Sequence, residues 1–332
     1  MRYYCTIFDK NYLLQGVTVF RSLKFSSEPY KFYPLCMDDE SYNLLTKMDM
    51  KHMFPVKLAD IMTDELLEVQ SRTTKGQFCW VCQPIICQYI LNELKAYIVI
   101  YLEADSLFYA DPEILLKELG DDSVSLVPHS FSPEFDNTET AGEYCVQFNA
   151  FKNNEFGHQV LNYWKENCFK YSNKHLTTYP GQTNLDNWTS LFKEVRKILN
   201  PGAGVAPWNV NKYKVSVINN QLCVDNSPVV FYHFHQFGWH YNGALSLGYY
   251  PFSNAVIKLI YGKYVKELRI TENLVHQTDP KFNFRRYYPN ETSFKTVSLH
   301  AIKKVFNAYV AIFKHKIKKR YNIYPESYFD IH

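Results

Sequence analysis

Three sets of polar residues end apolar runs in this chain, and the chemistry they could share is the holding of a divalent cation and a diphosphate. Glu103 and Asp105, one residue apart, close the run YIVIYL (97–102). Carboxylates pointing to one side of an extended segment suit a hard cation such as Mg²⁺ or Mn²⁺, which keeps open positions for water and substrate phosphates. His233 and His235 follow a second run, SPVVFY (227–232), and their imidazoles could complete an octahedral site with waters and a diphosphate. Asp9 and Asn11 follow the first run, RYYCTIF (2–8), where polar groups could hold a nucleotide base and ribose. Two acids with this spacing also arise by chance, so a solvated strand end is the competing reading. The Asp111-Pro112 step opens a helix six residues after Asp105 and places the pair at a rim rather than on an arbitrary loop.

Elements to position these residues are readable from the pattern. Short apolar runs alternate with helical periods through the first half, the signature of strands joined by crossover helices in a mostly parallel sheet. RYYCTIF, KFYPLCM (31–37), a weaker MFPVKLADI (53–61), YIVIYL, SVSLVPH (123–129) and CVQFNAF (145–151) read as strands. YIVIYL is apolar on both faces and therefore central, covered on both sides. Helices are expected from Asn11, over DDESYNLLTKM (38–48), over PIICQYILNEL (84–94) with Pro84 in the first turn, and over DPEILLKEL (111–119). Further helices are expected over NEFGHQVLNYWKENCFKY (154–171) and TNLDNWTSLFKEVRKIL (183–199). Residues 213–233 read as two or three short strands, and from about 253 the pattern is helical. The end of a central strand in such a sheet is where ligands bind, and there Glu103 and Asp105 fall.

Composition bounds the rest. At 332 residues, 46% apolar and 21% charged, the chain folds around a substantial core. The net charge of +3 excludes a general nucleic-acid binder. Seven bases and no acid lie in 300–321, leaving 29 bases and 33 acids, a balance of −4, elsewhere. That segment repeats apolar positions at helical spacing, from Ile302 to Ile317, and reads as a basic amphipathic helix. Such a helix suits peripheral contact with an anionic membrane face, or packing on the domain with its lysines solvated. Eight scattered cysteines and an N-terminus unlike a signal peptide point to free thiols in the cytoplasm. CWVC (79–82) is a lone pair without a second at zinc-ribbon spacing. No apolar run reaches the roughly 18 residues of a membrane span.

The ordered stretches GQFCWVCQP (76–84), YLEADSLFYADP (101–112), VPHSFSP (127–133), FNAF (148–151), GQTNLDNW (181–188), GAGVAPWN (202–209) and FYHFHQF (231–237) span most of residues 1–265. In this train the chain resembles GT-A-fold bacterial nucleotide-diphospho-sugar transferases of surface-polysaccharide gene sets, distantly similar to retaining galactosyltransferases. The resemblance implies an α/β, Rossmann-like, mostly parallel sheet flanked by helices. The break in pattern near 245–290, at DPKFNFRRYYPNETS, divides the chain into a catalytic domain over 1–250 and a helical extension over 251–332.

The resemblance also implies roles for single residues. Asp105 would coordinate Mn²⁺ or Mg²⁺ and the diphosphate, with Glu103 on the donor ribose or on the metal through water. His233 would be a third protein ligand, its His-Phe step matching the galactosyltransferases, with His235 as alternate. Asp9, Asn11 and Tyr12 resemble a base-binding D-x-N-Y, and Thr6, Ala104 and Asn149 would join them around the nucleotide sugar. Gln182 would lie near the anomeric carbon, and Asp186 would serve as base or sugar-hydroxyl anchor. The chain departs from the pattern at Glu103 and at Gly181, where the family has Asp. Glutamate's extra methylene moves its oxygen by about 1.5 Å.

The implied partners are a nucleotide-sugar donor, UDP-sugar favoured, and a glycan or lipid-linked glycan acceptor of capsule or lipopolysaccharide synthesis. The localisation implied is cytoplasmic, with peripheral contact on the inner membrane face through 300–321. Donor sugar, acceptor and inverting or retaining course stay open. A nucleotidyltransferase or phosphate hydrolase of similar fold would want a glycine-rich phosphate loop after the first strand, which FDKNYLLQG (8–16) lacks. The departures at Glu103 and Gly181 leave room for a non-catalytic nucleotide- or glycan-binding relative.

Overall fold

A computed structural model describes residues 1–172, 184–240, 244–283, 287–288 and 322–330. The basic segment 300–321 lies outside the described residues, as do Gly181 and Gln182. Strand β1 (Arg2–Phe8) is followed by helix α1 (Leu13–Ser22), β2 (Tyr30–Cys36), α2 (Asp39–Met48) and the two-residue β3 (Val56–Lys57). After α3 (Asp64–Ser71) and α4 (Lys75–Asn92) come β4 (Ile98–Leu102), β5 (Ser106–Phe108), α5 (Glu113–Leu119) and β6 (Val124–Pro128). A one-turn α6 (Thr138–Ala141) leads to β7 (Tyr144–Cys145), β8 (Phe148–Lys152), α7 (Glu155–Tyr171) and β9 (Val195–Lys197).

The central sheet has the order β3-β2-β1-β4-β8-β6-β7, with β9 paired to β6. Strands β3, β2, β1 and β4 are mutually parallel, whereas β8 runs antiparallel to both β4 and β6. All five residues of β4 are buried, as a doubly covered central strand requires. Period-2 alternation sorts its side chains between two cores. Ile98, Ile100 and Leu102 pack with Leu13, Leu14 and Val17 of α1. Val99 and Tyr101 face Val81, Ile86 and Ile90 of α4 and Trp164 of α7.

Three expectations are corrected. The fourth helix begins at Thr74, whose hydroxyl and Gln77 form a reciprocal capping box, so Pro84 sits in the helix interior and not in its first turn. The stretch 183–199 is not one helix. Two short turns, Asn184–Asn187 and Trp188–Leu191, give way at Glu194, held at φ 58°, to β9, which pairs in parallel with β6. The third strand shrinks to Val56–Lys57 because Leu58–Ile61 turns into a 3₁₀ segment.

Beyond the sheet, a ribbon of β10 (Val215–Ile218), β11 (Gln221–Val224) and β12 (Ser227–Pro228) feeds β13 (Phe231–His233), which pairs antiparallel with β5. A π-turn over Val256–Tyr261 runs into the helix Gly262–Thr278, which lies against α1. The Thr18 and Thr271 hydroxyls meet there at 2.8 Å in the buried contact, and Glu267 accepts from Arg21 and Lys24 at its edge. No helix among the described residues is long and apolar enough to cross a membrane.

Candidate active site at the end of the central strand

Strand β4 ends at Leu102, and the chain turns over Glu103–Ser106, where the Ser106 N–H donates to the Glu103 carbonyl at 3.3 Å. The pairing of β5 with β13 then puts Ser106 opposite His233, and the Phe234 N–H donates to the Asp105 carbonyl at 2.8 Å. Backbone register therefore brings a histidine from the second half of the chain against an acid from the first. His233 Nε2 lies 3.2 Å from Asp105 Oδ1, with 9% and 20% of the two side chains exposed.

The two acids look different ways. Glu103 Oε1 accepts from Gln83 Nε2 at 3.0 Å, and the Tyr101 hydroxyl lies 3.5 Å from the same oxygen. Burial, reinforced by the charge of Asp105, pushes the Glu103 carboxyl up to about 8. Burial also opposes ionisation of Asp105, but His233 beside it outweighs this and holds Asp105 below the usual carboxylate range. The same contact raises His233 well above an ordinary histidine despite its burial.

A cluster of rings backs the pair. The Trp208 indole stands edge-on to His129 and His233, each at 5.3 Å, and to His235 at 5.6 Å. Burial and the neighbouring His233 hold His235 down to about 4. Cys145, buried between His129 and His233, hydrogen-bonds both; although burial opposes its thiolate, the two imidazoles bring it down to about 6. His129 is itself fixed by its Nδ1 contact of 2.9 Å with the Gly142 carbonyl.

The other expected residues fall around this point. Register sets Cys5 beside Tyr101 and Tyr101 beside Asn149, so Thr6 and Asn149 flank the end of β4. Both are fully buried, and Thr6 Oγ1 and Asn149 Oδ1 have no hydrogen-bond partner. Ser106 Oγ and Gln147 Nε2 are orphaned nearby in the chain. An unsatisfied buried polar atom costs about 1–3 kcal/mol, and these four are among twelve spread through the described residues. Ala104 is buried in the turn. Asp9 accepts from the Asn11 backbone N–H at 2.9 Å and from its side-chain amide at 3.0 Å, and the Tyr12 N–H donates to the Asp9 carbonyl. Asp186 Oδ1 accepts from the backbone N–H groups of Glu143 and Tyr144 at 2.8 and 3.3 Å, which ties it to the strand carrying Cys145. Gln182 is outside the described residues.

The contact is an ion pair, and its length also suits two neighbouring ligands of a divalent cation. Two ligands at about 2.1 Å in adjacent octahedral positions lie about 3.0 Å apart, close to the observed 3.2 Å. Among the described residues no group of three or more His, Cys, Asp or Glu side chains converges as a complete cage. CWVC forms part of α4, and all eight cysteines are free thiols. Gln83, Gln147, Cys145 and His129 were not singled out from the sequence. All four lie in or beside the quoted motif stretches, but neutral amides and thiols carry no spacing signal of their own.

No family model matches the chain. It is 31% identical over 248 residues to YfnF, an uncharacterized protein of Bacillus subtilis, a match covering 70% of this chain and 80% of YfnF. It is 25% identical over 288 residues to YfnD of the same organism, covering 84% and 93%. Among solved structures, the galactosyltransferase LgtC, in complex with donor and acceptor sugar analogues, superposes with a TM-score of 0.51 at 11% identity, covering 83% of this chain and 95% of LgtC. The bifunctional glycosyltransferase WbbM gives 0.51 at 11% identity, covering 84% of this chain and 52% of WbbM. At such identity these likenesses establish the fold, which is GT-A.

Proposed function

We propose, from the premise that the chain belongs to the family of Bacillus subtilis YfnF and has the GT-A fold, that it is a metal-dependent glycosyltransferase. It would move a sugar from a nucleotide-diphosphate sugar, UDP-sugar favoured, to a glycan or lipid-linked glycan. The observation that carries the reading is the approach of His233 to Asp105 at the carboxyl end of the central strand, built by long-range pairing, with the orphaned Ser106 Oγ and Gln147 Nε2 on residues beside it.

Asp105 and His233 would hold Mn²⁺ or Mg²⁺ as neighbouring ligands. A bound cation there supplies Lewis-acid stabilisation to the departing diphosphate. Glu103, turned toward Gln83 and Tyr101, would meet the donor ribose. Asp9, Asn11 and Tyr12, ordered by their own turn, would receive base and ribose, with Thr6 and Asn149 supplying the unpaired hydroxyl and amide oxygens. Asp186 would anchor a sugar hydroxyl through its second oxygen, Oδ1 being committed to two backbone N–H groups. Synthesis of a bacterial surface polysaccharide is supported by the motif train, and the basic segment 300–321 suits an acceptor at the inner membrane face.

The test is a thermal-shift panel of nucleotide sugars with and without Mn²⁺. The expected result is stabilisation by one UDP- or GDP-sugar only with metal, lost in Asp105→Asn. Donor binding without hydrolysis or transfer, with acceptor supplied, would mark a non-catalytic relative. Absence of any metal-dependent stabilisation across the panel would overturn the reading.

A further inference from the structure

We infer that Gln147 is the positioning residue that presents His233 to the cation, fixing which ring nitrogen faces it; this rests on the metal site proposed above. A neutral imidazole carries one proton on either of two nitrogens, and only the bare nitrogen can ligate a metal. Nε2 faces Asp105, so with a cation bound between them the proton must be held at Nδ1. Gln147 Oε1 lies 3.1 Å from Nδ1, and an amide oxygen can only accept. The Nδ1–H therefore donates to Gln147, which leaves the Nε2 lone pair directed at the site.

The backbone that carries this amide is fixed on both sides. Gln147 is fully buried, its N–H donates to the Cys145 carbonyl at 3.0 Å, and its own carbonyl accepts from the Glu103 N–H at 3.4 Å. One residue thus ties the acid turn to the imidazole. Across from it sits Gly204 at φ +64°, where a Cβ would lie 2.3 Å from Gln147 Nε2 and 2.8 Å from Val127 Cγ1. The loop of GAGVAPWN is cut away to admit this amide. Cys145 also reaches His233, but its sulfur is shared with His129, whereas Gln147 Oε1 is given to His233 Nδ1.

Three variants separate this role from simple packing. Gln147→Met keeps the volume and removes the acceptor, Gln147→Asn withdraws the amide by one methylene, and Gln147→Glu keeps an acceptor at Nδ1. Mn²⁺ affinity is measured by electron paramagnetic resonance titration in the presence of UDP, and the His233 tautomer by ¹⁵N NMR of the Mg²⁺–UDP-loaded protein. Loss of an outer hydrogen bond to a ligating histidine typically weakens metal binding by about 10–100-fold. The expected result is such a loss in Gln147→Met and Gln147→Asn, retention in Gln147→Glu, and an Nδ1–H signal for His233 in wild type that is lost or shifted in the two weakened variants. Unchanged affinity and tautomer in Gln147→Met or Gln147→Asn, whichever folds, while wild type binds Mn²⁺, would overturn this inference alone. Failure of wild type to bind Mn²⁺ with UDP would instead overturn the metal reading and this inference with it.

Discussion

Asp9 and Asp105 follow parallel neighbouring strands, β1 and β4, yet the two ends are organised in opposite ways. Asp9 finds its partner two residues on, in Asn11, and the turn closes at Tyr12, with one bond outward from the Lys10 N–H to Asp38. Asp105 finds its partner in His233, delivered by a strand from the far half of the chain. A local turn can be preformed and tolerant of change elsewhere, whereas a long-range pair depends on every element that places either member. Nucleotide recognition by the first and cation holding by the second would make the binding half robust and the reacting half exacting.

The largest effect is expected where the long-range pair is cut. Asp105→Asn and His233→Ala should each lower transfer by at least about 10²-fold, as for loss of one preorganised group at a site of charge development. Donor hydrolysis measured with saturating Mn²⁺ checks this. Activity within tenfold of wild type in either variant would place the chemistry elsewhere.

A smaller effect is expected from loosening the strand that delivers His233. The Gly202 carbonyl accepts from the Val230 N–H at 2.8 Å, and a Cβ on Gly202 would lie 1.8 Å from the Pro228 carbonyl oxygen. Gly202→Ala must push the start of β13 away and should cost about 1–3 kcal/mol of stability, as overpacking does. Metal affinity should fall with it, whereas nucleotide binding without metal should change little. Chemical denaturation and a metal-free UDP titration read the two separately, and parallel loss in both would erase the distinction between the halves. Asp9→Ala is the reciprocal change. It removes one turn side chain, should cost about 1 kcal/mol or less of stability, and should weaken UDP while leaving Mn²⁺ affinity near that of wild type.

The same contrast governs what was legible in the sequence. YIVIYL announced a central strand because burial on both faces demands apolar residues throughout, and β4 is buried at every position. Asp38 and the acids after it announced α2, where Asp38 caps the Ser41 N–H. Lys75–Asn92 hid its first half, since apolar residues surround it and no polar face marked a period, and Pro84 suggested a start. The misread helix 183–199 fails at Glu194, whose left-handed backbone turns the chain into β9, and it is pairing with β6 that decides the outcome. At the site, charged residues stood out and Asp105 with His233 were brought together. Gln83 and Gln147, which steer them, are neutral amides whose meaning exists only once register has put them there.

The smallest effect belongs to the clip between α1 and the helix Gly262–Thr278, which packs against α1 and α2. Glu267 takes Arg21 at 3.3 Å and Lys24 at 3.2 Å, and although burial opposes its charge, the two bases hold its carboxyl below the usual value. Because the folded value is depressed, the clip contributes fully above the unfolded carboxylate range, near pH 4.5, and is lost as pH falls through the folded value. Lys24 is more than half exposed, so solvent screening limits the contribution to about 1 kcal/mol or less. Glu267→Gln should therefore melt slightly below wild type at pH 7, and the gap should close as pH drops below about 4, where the wild-type carboxylate takes up its proton. Melting curves at pH 7 and in that acid range, at low and high salt, provide the check. A gap that persists in acid would show that the side chain acts there through packing. Donor affinity should be unchanged in this variant, since the clip lies between those two helices; a loss of UDP binding would mean that even the locally ordered half depends on a distant element.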